Sequence, residues 1–175
     1  MFAIVLTATT FLVWNARAFK SSIFDVIRIE AENLELSGFR SRENRFSSGG
    51  LLISASEHGT AKGIFHGKTG TYDIVVAVVD SGSPVPGSVE LKIGDQSIKH
   101  DLNVNIEGLV CKTFAQNLHI EDNSSLEITG VAQSGEVIDL DYVDFIPSGS
   151  LAFQPKNPER AYVIETSIRR LTMMT

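Results

Sequence analysis

A chain of 175 residues with 43% hydrophobic and 21% charged residues suits one domain with appendages and is long enough to bury a real core, which excludes a disordered protein. The formal net charge of -6, with no dense Lys/Arg cluster, weighs against sequence-independent nucleic-acid binding, which needs a basic footprint. The single cysteine, Cys111, excludes an intrachain disulfide and a metal-thiolate site; between Val110 and Lys112 it reads as a structural thiol.

Residues 2–14 carry no charge. The run is shorter than the ~20 apolar residues that cross a bilayer as a helix. Its length suits a signal-peptide core, and Ala16-Arg17-Ala18 resembles a small-residue cleavage site, although no basic residue precedes it. Uncleaved, such a run needs a partner. It fits a membrane stub, a helix in a fibre core, a strand donated to a neighbouring subunit, or a segment packed on its own domain. Residues 1–25 are therefore expected to be an anchor or assembly segment, and the context is expected to be extracellular or cell-surface.

From 26 to 147 the pattern is that of strands. Tyr72–Val79 is apolar on both faces in its middle, as a central strand should be. Val89, Leu91 and Ile93 alternate with Glu90 and Lys92, and Leu126 and Ile128 with Glu127 and Thr129, so each strand has one wet face. Turn signals recur at Ser47–Gly50, Gly67–Gly70, Gly94-Asp95, Asp122–Ser124 and Ser134-Gly135, and two prolines stiffen Ser81–Gly87. Many short strands without a helical period between them predict an all-β, antiparallel β-sandwich.

Two acidic segments bracket this region, Ile29–Asn33 and Ile138–Phe145. In an extended strand alternate side chains share a face, so Glu30 and Glu32 point the same way, roughly 7 Å apart, as do Asp139 and Asp141. If the two strands lie close, three or four carboxylates converge. That is costly unless they stay solvated or share a cation, and all-oxygen ligation favours Ca²⁺.

After Pro147 the character changes. Ser148-Gly149-Ser150 reads as a hinge, and Asn157-Pro158 as a helix start. Ile164, Ile168 and Leu171 then recur on one face, so residues 148–175 are expected to be an extension ending in a short helix.

Catalytic signals are weak, and the chain is not read as an enzyme. Lys68-Thr69-Gly70 matches a fragment of the penicillin-recognising enzymes, but no Ser-x-x-Lys accompanies it. Glycines 59, 63, 67 and 70 lack phosphate-loop spacing. His58, His66, His100 and His119 show no metal-pair spacing. Asn123-Ser124-Ser125 fits an N-glycosylation acceptor.

Four segments, in order, carry a likeness: Ile29-Glu30-Ala31-Glu32-Asn33, Phe46-Ser47-Ser48-Gly49-Gly50, Phe65–Val76 and Asp139–Phe145. Together they resemble the carbohydrate-binding modules of families 6 and 35, with a galactose-binding-like jelly-roll fold, over about residues 27–147. The resemblance implies a structural Ca²⁺ held by Glu30, Glu32 and Asp141, and a sugar cleft at the loop end beside it. Asp139 stands where the family usually has Asn. An anionic glycan would be disfavoured there unless calcium or an arginine compensates. Ser81–Gly87 also departs from the acidic loop common in similar modules.

Sugar binding needs an aromatic platform and polar groups for hydroxyls. Phe39 and Phe46 are the candidate platforms, and Glu43, Asp80 and Asp139 the candidate hydroxyl partners. The expected function is a non-catalytic, calcium-stabilised module that attaches an exported protein to polysaccharide. The competing expectation is a subunit of an extracellular filament, a homo-oligomer built through residues 1–25, with the sandwich as its exposed body.

Overall fold

Antiparallel pairing dominates the computed structural model, which describes residues 26–80, 87–102, 108–133 and 135–149. The N-terminal segment, the loop 81–86 and the expected C-terminal helix lie outside the described residues.

Eleven strands follow in chain order: β1 (Ile27–Glu30), β2 (Glu35–Ser37), β3 (Arg40–Glu43), β4 (Leu51–Ala55), β5 (His58–Ile64), β6 (Gly70–Asp80), β7 (Ser88–Ile93), β8 (Gln96–Asp101), β9 (Gly108–Ile120), β10 (Ser125–Val131) and β11 (Ile138–Pro147). They form a six-stranded sheet, in the order β3-β4-β11-β6-β9 with β1 also on β11, and a five-stranded sheet, in the order β2-β5-β10-β7-β8. The expected two-sheet antiparallel sandwich is present; β6 is an interior strand between β11 and β9, while the middle of its sheet is taken by β11.

The core lies between the sheets. From β6 it takes Tyr72, Ile74, Val76 and Val78, from β7 Val89, Leu91 and Ile93, from β10 Leu126 and Ile128, and from β11 Ile138, Leu140, Val143 and Phe145. Phe65, Tyr72 and Phe145 meet edge to face or tilted, with centroids 4.8–6.5 Å apart, the arrangement favoured by ring quadrupoles. The β6, β7 and β10 sets alternate along their strands, so the residues between them face outward, whereas β11 changes parity between Leu140 and Val143.

Two local devices position the rest. Between β2 and β3 the chain changes sheets at Gly38, whose φ of +76° and close approach to the His58 carbonyl leave no room for a Cβ. Phe39 follows immediately, and its ring fills the space over Gly59 and Gly130, where a Cβ would stand 2.5 and 2.8 Å from it. In β11, the register shifts between Leu140 and Val143. This bulge inserts one extra residue, so Asp141 and Tyr142 both avoid the core while the apolar alternation resumes at Val143.

Candidate functional site

The acidic segments do meet. β1 pairs with β11 in antiparallel register, Arg28 opposite Asp144 and Glu30 opposite Tyr142, and Glu32 follows in a 3₁₀ turn, Ala31–Asn33, that packs on β4 and β11. A second 3₁₀ turn, Ser48–Gly50, closes the site. The Ser48 amide donates to both carboxylate oxygens of Asp141, at 2.9 and 3.1 Å, and the Ser48 hydroxyl donates to Glu30 Oε1 at 2.8 Å. Gly49 has a φ of +65°, and a Cβ there would lie 3.4 Å from Glu32 Oε1. One turn thus touches all three carboxylates that the resemblance singled out.

The electrostatics are those of crowding. Asp141 is fully buried, and its pKa is pushed up to about 6, first by burial and then by Glu30 and Glu32, against the Ser48 amide and Arg28, which favour its charge. Glu32 is raised too, chiefly by burial and further by Glu30. Glu30 Oε2 and Glu32 Oε2 are buried without a hydrogen-bond partner. Among the described residues, no three His, Cys, Asp or Glu side chains stand as a ready-made metal cage. The donor chemistry nevertheless fits a hard cation, because orphaned carboxylate oxygens and mutual repulsion are what such an ion relieves.

Arg28 is a participant that sequence reading missed. Its guanidinium donates to both oxygens of Asp144 at 2.7 Å, lies 3.5 Å over the Tyr142 ring, and reaches Ser48 Oγ at 3.2 Å. Burial opposes its charge, and Asp144 more than offsets that, so it stays a fixed cation beside the acidic cluster. A basic residue two places before Glu30 on an antiparallel partner of Asp144 is a signal only once the register is known.

The sugar-site candidates separate. Phe46 stands 67% exposed on a loop stitched by Asn44, whose side chain accepts the Phe46 amide at 2.9 Å and whose carbonyl accepts Ser47 Oγ at 2.7 Å. The Arg45 guanidinium lies 4.5 Å from its ring centroid. Glu43 is exposed at the end of β3, one residue before this loop. Phe39 is a correction: it is 5% exposed and belongs to the core, because the two bare glycines beneath it make a slot for its ring. Asp139 is likewise buried and held by Arg42, which donates to both its carboxylate oxygens. It is spoken for by a cation rather than turned toward Phe46, and it does not join the other three carboxylates. The Asp80 side chain lies outside the described residues.

No protein-family model matches this chain, and no curated protein matches it in sequence. Solved structures do. A native family 35 carbohydrate-binding module from Clostridium thermocellum superposes with a TM-score of 0.57 at 13% identity, covering 71% of this chain and 100% of that one. The fold is that of the carbohydrate-binding modules. The CBM36-1 domain of a multidomain xylanase from the hindgut metagenome of Trinervitermes trinervoides gives 0.54 at 15% identity, covering 71% and 99%. The insecticidal crystal protein Cry2Aa gives 0.60 at 16% identity over 70% of this chain, which spans about a fifth (21%) of that protein's length. At these identities the likeness establishes the shared module fold.

Proposed function

We propose that this chain is a non-catalytic, carbohydrate-binding surface module, stabilised by calcium, that attaches an exported protein or assembly to polysaccharide. The observation that carries the reading is Phe46. A large ring held two-thirds in water has no stabilising role for the sandwich, yet its loop is rigidly closed, with the Asn44 amide bonded to the Gly50 carbonyl at 3.0 Å. A pre-formed aromatic platform is what stacking on the apolar face of a sugar ring requires. Arg45 and Glu43 flank it with groups able to bond hydroxyls. Calcium would be held by Glu30, Glu32 and Asp141, and its role would be to fix the Ser48–Gly50 turn and with it the adjoining Phe46 loop.

Affinity electrophoresis through gels of neutral and uronic-acid polysaccharides tests this. The intact chain should be retarded by at least one of them, and Phe46→Ala should abolish the retardation while leaving the melting temperature within about 1 °C, because the ring is exposed. Equal mobility of both chains in every gel would remove the sugar reading.

A further inference from the structure

The four arginines among the described residues divide into two kinds. Arg28 and Arg42 are each held by a buried carboxylate, that of Asp144 and that of Asp139. Arg40 and Arg45 are exposed and have no ion-pair partner among the described residues. Arg45 lies 4.5 Å from the centroid of the Phe46 ring. Arg40 opens β3, the edge strand that runs into the Phe46 loop, about 10 Å of strand before its end at Glu43. Alternate residues of a strand share a face, so Arg40 and Arg42 point one way and Ser41 and Glu43 the other. Arg40 lies opposite Ser54, and Ser54 opposite Asp139, which places Arg40 in the same row of the sheet as the acid that Arg42 neutralises.

We propose that the glycan carried on Phe46 is an acidic polysaccharide, whose carboxylate or sulfate groups are bound by Arg40 and Arg45. The assignment rests on the sugar-binding reading and narrows it to one ligand class. Asp139 by itself would repel an anion, but Arg42 donates to both its oxygens and cancels its charge. Asp141 is fully buried on the Ser48 amide, and Glu30 accepts the Ser48 hydroxyl. Glu43 is the exposed carboxylate of β3, and alternation turns it away from the face of Arg40. The charge left over for a ligand is therefore that of Arg40 on the strand and Arg45 at the ring. Each guanidinium presents a planar fork of N–H donors that fits the paired oxygens of a carboxylate or sulfate. A net charge of -6 gives the chain no general attraction to polyanions, so such recognition is local to these two cations. Their separation along β3 and its loop suits successive acidic units of one extended polymer.

Titration calorimetry of the intact chain with polygalacturonate, with a sulfated galactan and with the same galactan after desulfation tests this. At least one acidic polymer should bind about ten-fold tighter than the desulfated one, and the better of the two tells carboxylate from sulfate. That binding should weaken steeply as NaCl is raised from about 50 to about 500 mM. Arg40→Gln/Arg45→Gln should lose about ten-fold or more of it at an unchanged melting temperature, since both side chains are exposed. Equal affinity for the acidic and desulfated polymers, or a double variant that binds as the intact chain does, would overturn the acidic assignment and leave the sugar reading standing. Acid binding that vanishes in EDTA yet survives loss of both arginines would assign the anion to calcium and also overturn it. So would equal binding of poly-L-glutamate undiminished by Phe46→Ala, which marks attraction to any polyanion. An intact chain that binds none of the three polysaccharides would remove the sugar reading itself, and this assignment with it.

Discussion

At Asp141 two influences oppose one another. The Ser48 amide and Arg28 favour the carboxylate, while burial and the charges of Glu30 and Glu32 disfavour it, and the balance leaves the group titrating at about 6. The folded value lies above the unfolded one, so the folded state holds the proton more tightly. The stabilisation is fully present below the ordinary aspartate range and is lost as pH rises through 6. Ionised at neutral pH without a cation, this one group costs about 2–3 kcal/mol. In chelator the chain should therefore melt higher at pH 4.5 than at pH 7.5, with the difference concentrated between about pH 4 and 6. Asp141→Asn should flatten that window and raise stability in chelator at neutral pH. A profile unchanged by the substitution, followed by thermal melts across the range, would show that Asp141 does not govern it.

Strand β11 shows how one element can carry both core and site. Its apolar residues fall on Ile138 and Leu140, then on Val143 and Phe145, a change of parity that only a bulge can accommodate. Strict alternation predicts Asp139 and Asp141 side by side in one cluster; the bulge instead lets Asp141 meet Ser48 while Asp139 pairs with Arg42. Nothing in the Asp141-Tyr142 dipeptide signals this, because bulges arise from the pairing of two strands. The corner between β2 and β3 makes the same point for Phe39, which reads as an exposed loop aromatic until Gly59 and Gly130 are seen to lie beneath it. Phe39→Ala should cost about 3–5 kcal/mol in urea unfolding, the usual range for an emptied aromatic core position. A loss below about 1 kcal/mol would contradict its place in the core. Gly59→Ala should also destabilise, since the ring and the new methyl cannot share the space.

For the whole molecule, a metal bound only by the native state stabilises it by mass action, about 2.7 kcal/mol at a hundred-fold excess over its Kd. If Glu30, Glu32 and Asp141 hold calcium, adding EDTA should lower the melting temperature by roughly 5–10 °C, and calcium should restore it. Glu32→Gln should shrink that response without altering the secondary structure. An identical melt with and without chelator would remove the metal from the account and leave the Phe46 reading to stand alone. The sandwich itself was legible early, because strands with one dry and one wet face leave a period-two record in their own residues, as Val89–Ile93 and Leu126–Thr129 do. The meeting of the two acidic segments was legible as well, but the extended geometry expected for Glu32 was not: the strand ends at Glu30, and Glu32 reaches the site from a 3₁₀ turn. Arg28, the Ser48 turn and the pairing of Asp139 were not, since each depends on partners 93 to 116 positions away or on a turn whose hydrogen bonds cross between elements.

The order of residues alone determined the β-architecture, the interior place of β6 and the concentration of acid in two segments, because these follow from side-chain alternation and composition, which are local. Which carboxylates share a pocket and which phenylalanine faces water were decided only by tertiary packing. Those outcomes depend on the register between strands and on the β11 bulge, and register is a relation between distant segments that no single stretch of chain encodes.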